Sequence, residues 1–436
     1  MDINYQSVTN KSVNITNNNV CEPTEEQWED FTNVSFWIQG VVAIILSSSG
    51  FILNSAAGFI FIMASNLNST AFNKQLACLA FFDNLFLLIG ISEAIRNHFI
   101  ERSYYYEYTF TQLVYPLRSI SMFCSIYTTV ILSMVKYNSI KNPLNHLVQA
   151  RIEASASCCS EIKNIIFVTM AATGFYLPKF FEFEMTYSVY PCANETKSIN
   201  SETMTNCTYF EYFVSQRYLR RDKNYILWYM NVFNIIVTVI IPFVLLLYLN
   251  IIIHREMKRF RIKRFQRGTM LLASLNKDQP PTNVSANNDL QRDNNEQCKI
   301  IFSLVLMFAC GHILRAILNV QELIYFDWIT KELERGCDGV KLWAMFLVPL
   351  SEVMLQTNSG ANFFIYYFFH KDFRAILRNQ YDKTKQYIAT KLHSSEDQEV
   401  ENNNEVEEPF LENPTIDIFD HQARHGTEDI ELNEFH

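Results

Sequence analysis

The sequence predicts an all-α membrane protein, a seven-transmembrane helix bundle followed by a short amphipathic eighth helix. Three observations predict it. The 436-residue chain is 49% hydrophobic and 14% aromatic, and its apolar residues gather in blocks. The blocks run to about 20 residues or more, the length an α-helix needs to cross a hydrocarbon core of about 30 Å. Polar stretches separate seven of them, whereas buried soluble helices account for one or two such runs.

Taken in order, the blocks are Phe36–Ala64, Gln75–Ile95, Thr109–Tyr137, Ile162–Phe180, Tyr225–Ile253, Lys299–Tyr325 and Lys341–Phe369. The first and fifth contain no charged residue. The third and sixth carry internal charges. Residues 1–35 then form an N-terminal arm, residues 36–379 the membrane domain, and residues 380–436 a tail. From residue 394 onward the tail holds 14 Asp/Glu against one Arg. That composition reads as disordered acidic chain. The formal charge of −9 therefore misdescribes the membrane domain, which is mildly basic.

Two signals orient the chain with its N-terminus outside. Asn10, Asn14 and Asn33 precede the first helix, and Asn194 and Asn206 lie between the fourth and fifth, all in Asn-x-Ser/Thr sequons that are glycosylated only on the lumenal side. Asn68 and Asn283 are also sequons and would be idle inside. Arg255–Arg267 carries seven Lys/Arg just after the fifth helix, and Lys371, Arg374 and Arg378 follow the seventh, as the positive-inside bias requires. Arg217, Arg220, Arg221 and Lys223 run against the bias, in an outer loop. No apolar signal segment stands at the start, so the first helix is expected to insert itself. The expected location is the plasma membrane, multi-pass.

Of ten cysteines, Cys21, Cys192, Cys207 and Cys337 fall outside. Four cysteines allow three pairings. The most local, Cys192 with Cys207 and Cys21 with Cys337, is preferred as a structural staple in an oxidising compartment.

Asp83 sits in the middle of the second helix, where an isolated carboxylate is prohibitive. Asn54 in the first helix, Ser125 in the third, and Asn358, Ser359 and Asn362 in the seventh are the polar groups able to converge on it, with water or a sodium ion. These residues carry a resemblance. An Asn in the first helix, Leu79-Ala80-x-x-Asp83, the third-helix Ser and Asn358-Ser359-x-x-Asn362-x-x-Ile365-Tyr366 resemble rhodopsin-class G-protein-coupled receptors. Pro242, the segment Lys136–Leu144 with Tyr137, and the spacing from Tyr366 to Phe373 fit the same pattern. The segments PKFFEFE (Pro178–Glu184) and LRAILNVQE (Leu314–Glu322), with Phe363 after Asn362, look like invertebrate receptors for FMRFamide-type neuropeptides.

The resemblance implies an extracellular amidated peptide as ligand, a heterotrimeric G protein as partner, and Lys136, Tyr137 and Tyr366 as coupling residues. Departures are visible. The triplet at the inner end of the third helix is Val135-Lys136-Tyr137, and Lys lacks the planar fork of Arg. Altered basal activity or altered G-protein preference is expected. The family's outer third-helix cysteine is missing, with Thr111 near its place. The fourth helix lacks the family Trp. The sixth lacks its Trp and Pro, having His312, Ile313 and Leu314 there.

Charges deeper than the helix ends are read as functional. Glu93, Arg118, Arg315 and Glu352 should face the bundle, with Glu322 near the outer end of the sixth helix. One reading is mutual ion pairing, such as Arg118 with Glu352 or Glu93. The other is a peptide ending in Arg-Phe-amide, its guanidinium held by a Glu, with His312 and Gln356 as deeper contacts. The alternative function is a chemosensory receptor for a small molecule on the same fold. A transporter would need repeats or broken helices. No metal-ligand spacing, nucleophile motif or phosphate loop points to an enzyme, and no nucleic-acid partner or resident cofactor is expected.

Overall fold

The computed structural model describes residues 24–67, 71–100, 103–141, 158–191, 208–274, 283–335 and 341–404. The chain divides into two units, Met1–Arg378 and Asn379–His436. The first is a helical bundle. Among the described residues six helices are long and apolar enough to cross a membrane, and a seventh, interrupted helix joins them. The end bearing the N-terminus is called outer here, after the expected orientation.

The first helix begins before its apolar block. Glu25–Ser35 runs through a π-helical stretch, Phe36–Val42, into Ala43–Leu67. Thr24 starts it with a capping box: its side chain accepts from the Gln27 backbone N–H, and Gln27 Oε1 accepts from Thr24 N at 3.0 Å. Residues 25–35, expected in the N-terminal arm, are thus helical, and Phe31 is buried against Met345 and Phe346 of the seventh helix.

The second helix is Ala71–His98 and the third is Tyr104–Thr109, Phe110–Val114 and Tyr115–Lys141. The fourth, Cys158–Tyr176, tightens into a 3-10 turn, Leu177–Phe181, at its proline. A hairpin follows, Phe183–Pro191 against Thr208–Gln216, with Phe183 opposite Gln216 and Tyr187 opposite Tyr212. After a single turn, Tyr218–Arg221, Asp222 caps the fifth helix by accepting from Tyr225 N at 2.9 Å. That helix runs through Tyr225–Phe233, Ile236–Ile240 and Ile241–Ser274, so the basic stretch after the membrane block continues it.

The sixth helix, Asn283–Ile324, starts 16 residues before the expected Lys299. It is followed by Phe326–Glu334. The seventh is Leu342–Gly360 and Asn362–Phe369, broken at Ala361 although no proline stands there. The eighth, Lys371–Asn404, is 34 residues long, so residues 380–404 are helical where an unstructured tail was expected. Arg374 caps the seventh helix from outside, donating to the carbonyls of Tyr367 at 2.9 Å and Phe368 at 2.6 Å.

The third helix is the hub. It packs against the second, fourth, fifth and sixth, while the seventh packs against the first, second and sixth. Between helices in lipid, close backbone approach and polar bonds replace the hydrophobic drive. Both appear. A Cβ on Gly50 would lie 2.9 Å from the Gly360 Cα, so the first and seventh backbones touch. A Cβ on Gly311 would lie 2.8 Å from the Asn358 Cβ, which seats Asn358 against the sixth helix. Toward the inner end, Phe61, Leu132, Ile300, Tyr366 and Phe373 form the main apolar core.

Candidate functional site

Three polar layers lie along the bundle. The innermost is at the end of the third helix. Lys136 is buried, and its Nζ donates to Gln297 Oε1 of the sixth helix at 2.5 Å. The link is a charged donor on a neutral amide, with no acidic partner supplied by Val135. Tyr137 is half-buried beside Ile140, Ile253 and Met257. Tyr366 is fully buried, edge-on to Phe61 at 4.9 Å.

The middle layer is the centre expected around Asp83. Ser125 Oγ donates to one carboxylate oxygen and Asn362 Nδ2 to the other, each at 2.6 Å. Asn54 Nδ2 donates to the Ser359 carbonyl at 2.7 Å. Helices one, two, three and seven thus share one hydrogen-bonded group. Asn358 stands apart, on the face toward Gly311.

The outer layer holds the sequence-predicted charges, and they form one chain. Arg118 donates to Glu93 at 2.7 Å and to Glu352, and Arg315 donates to the other oxygen of Glu352 at 2.7 Å. Four charges from the second, third, seventh and sixth helices therefore alternate in sign and cancel. Their side chains are 10–20% exposed, so they face the interior of the bundle. His312 is buried with its ring 4.4 Å from Phe308. Gln356 is buried one turn inward of Glu352 with its amide against Gly90.

Beside this chain a cleft opens between the third, fourth, fifth and sixth helices. It encloses about 450 Å³ including its mouth. Tyr115, Phe175, Tyr176 and Tyr229 wall it, and Arg315, Asn319 and Glu322 of the sixth helix line one side. Among the described residues Glu322 has no ion-pair partner, whereas Glu93, Glu107, Glu182 and Glu352 each pair with an arginine.

The sequence reading missed two of those pairs. Arg96 holds Glu107 at 2.7 Å with its guanidinium 3.7 Å above the Phe110 ring, joining the second helix to the start of the third. More deeply, the fully buried Glu182 accepts from Arg220 at 2.7 Å, from the Tyr115 hydroxyl at 2.7 Å and from the Tyr225 hydroxyl at 2.8 Å. The cluster ties the loop after the fourth helix to the third and fifth. Thr111, near the place of the family cysteine, is buried and bonded only within its own helix among the described residues. The signal for this cluster was present: Arg220 was one of the cations opposing the positive-inside bias, and Glu182 lies within PKFFEFE.

Asn33 is exposed on the first helix, while the Ser35 of its sequon is buried and donates to Gln39 at 2.8 Å. Asn10, Asn14, Asn194 and Asn206, and all four cysteines Cys21, Cys192, Cys207 and Cys337, lie outside the described residues.

Comparison with known proteins agrees with this architecture. A family model described as serpentine type 7TM GPCR chemoreceptor Srw matches residues 41–381. The chain is 25% identical over 374 residues to the FMRFamide receptor of Drosophila melanogaster, an alignment covering 82% of this chain and 56% of that protein. The chain thus spans little more than half the length of that relative. With a seven-helix bundle whose first, second, third and seventh helices meet at the Asp83 centre, and a family match across most of its length, the chain belongs to the serpentine seven-transmembrane G-protein-coupled receptor family.

Proposed function

We propose that this receptor sits in the plasma membrane with its N-terminus outside, binds an extracellular amidated peptide ending in Arg-Phe, and signals through a heterotrimeric G protein. The observation that carries the reading is Glu322. It lines a cleft walled by aromatic rings and is unpaired among the described residues, while the acids around it are neutralised by arginines. A peptide guanidinium fits such a carboxylate as a bidentate pair, and a Phe ring fits the wall of Tyr176, Phe175 and Tyr229. Likeness to the Drosophila FMRFamide receptor supports the same ligand class.

In this reading Glu93, Arg118, Arg315 and Glu352 form the floor, with His312 and Gln356 below. The Asp83 centre holds water or sodium. Lys136, Tyr137 and Tyr366 serve coupling at the inner face. Asn10, Asn14, Asn33, Asn194 and Asn206 carry sugar, and Cys192–Cys207 and Cys21–Cys337 staple the outer segments. A second reading, a chemosensory receptor for a small molecule, is favoured by the chemoreceptor description of the matching family.

The test is a calcium or cAMP response in transfected cells challenged with amidated peptides ending in Arg-Phe. A response in wild type that is lost in Glu322→Gln, at equal surface expression, supports the peptide reading. Silence across the panel with the receptor at the surface shifts the assignment to the small-molecule reading.

A further inference from the structure

The sixth helix presents Asn319 to the cleft three residues before Glu322, on the same face, where side chains three apart are neighbours. Asn319 is 5% exposed, and its amide makes no hydrogen bond among the described residues. The amide faces the cleft, where a ligand can supply its partner. Asn231 and Asn234, across the cleft, are already engaged: Asn231 Nδ2 donates to the Ile226 carbonyl at 3.2 Å, and Asn234 accepts from the Tyr176 hydroxyl at 3.4 Å.

We infer that Asn319 reads the carboxamide terminus of the peptide while Glu322 holds its cation. This rests on the peptide reading above and adds the residue that tells an amidated peptide from its free acid. An asparagine side chain offers both a donor and an acceptor. A primary carboxamide offers the same pair, so the two groups close a reciprocal double hydrogen bond. A carboxylate offers only acceptors, so it gains one bond and sets its second oxygen against Asn319 Oδ1. Of the cations lining the cleft, Arg315 is spent on Glu352 at 2.7 Å, and Lys179 lies over the rings of Tyr115 and Tyr176 at 4.4 and 5.5 Å.

The experiment measures binding of a labelled Arg-Phe-amide peptide and its free-acid twin to full-length receptor in membranes. Wild type should prefer the amide by about tenfold or more, the worth of one well-placed hydrogen bond in a buried site. Asn319→Leu should weaken the amide and leave the acid nearly unchanged, closing the gap. Glu322→Gln should weaken both and keep the ratio. If Asn319→Leu fails to reach the surface, Asn319→Ser supplies the same comparison. A full amide preference retained in the Asn319 variant overturns the assignment and leaves the peptide reading intact. Failure of wild type at the surface to bind either peptide overturns both.

Discussion

Arg118 is the central member of the outer charge chain, and replacing it with Met tests whether that chain is coupled. The guanidinium meets Glu93 at 2.7 Å and Glu352 on its other side, with all three side chains 10–20% exposed. Two opposite charges about 4 Å apart attract by about 4 kcal/mol at an effective dielectric constant near 20. Desolvation offsets part of this, and Glu352 keeps Arg315 when Arg118 is lost. Glu93 loses its 2.7 Å ion pair with Arg118. Breaking a buried pair by removing one member costs about 3–5 kcal/mol, and partial exposure lowers the figure to about 2–3 kcal/mol. The assay is a double-mutant cycle on thermal denaturation of the detergent-solubilised receptor. Arg118→Met should be clearly less stable than wild type. Adding Glu93→Gln should restore stability in part, giving a coupling of about 2 kcal/mol. Strictly additive losses would show that the two side chains do not sense one another, and the reasoning would fail.

Other expectations follow from the same packing. Gly50→Val should abolish surface expression, since even the first carbon of a side chain would sit 2.9 Å from the Gly360 backbone, whereas Gly174→Ala, with nothing within 4 Å, should be neutral. Asp83→Leu should destabilise the purified receptor by about 2 kcal/mol more than Asp83→Asn, because Leu strands both Ser125 and Asn362 while Asn still accepts from one of them. Lys136→Ala removes the bond to Gln297 between the third and sixth helices and should raise ligand-free signalling severalfold, read as basal cAMP or calcium in cells with matched surface receptor.

The bundle was legible because lipid imposes a simple rule: blocks of apolar residues near bilayer length. The ends were not, because helices run past the hydrocarbon where hydropathy carries no signal. The capping box at Thr24 marks one such start in the sequence, and a helix from Asn283 leaves no comparable mark. The Asp83 centre was legible in Asn54, Ser125, Ser359 and Asn362, since a mid-membrane carboxylate has few partners to choose from, but Asn358, expected beside them, packs toward Gly311 instead. The ion chain was legible in its residues and not in its order, because Arg118 could take either Glu and takes both. The Glu182 cluster was hidden for a different reason. Its members are brought together by the turn after Phe181 and the hairpin, and no periodicity in the sequence encodes that return.

The junction between the outer loop and the third helix is closed by that cluster, with Thr111 standing where a covalent bond is usual in the family. Tyr115 is both one of the donors to Glu182 and part of the cleft wall. A clasp of this kind is reversible: it opens and recloses by trading hydrogen bonds with water, and Glu182, Arg220, Tyr115 and Tyr225 bring no thiol to it. A ligand leaning on Tyr115 touches the latch itself, so how long the ligand stays and how firmly the hairpin is held down become one property of the receptor.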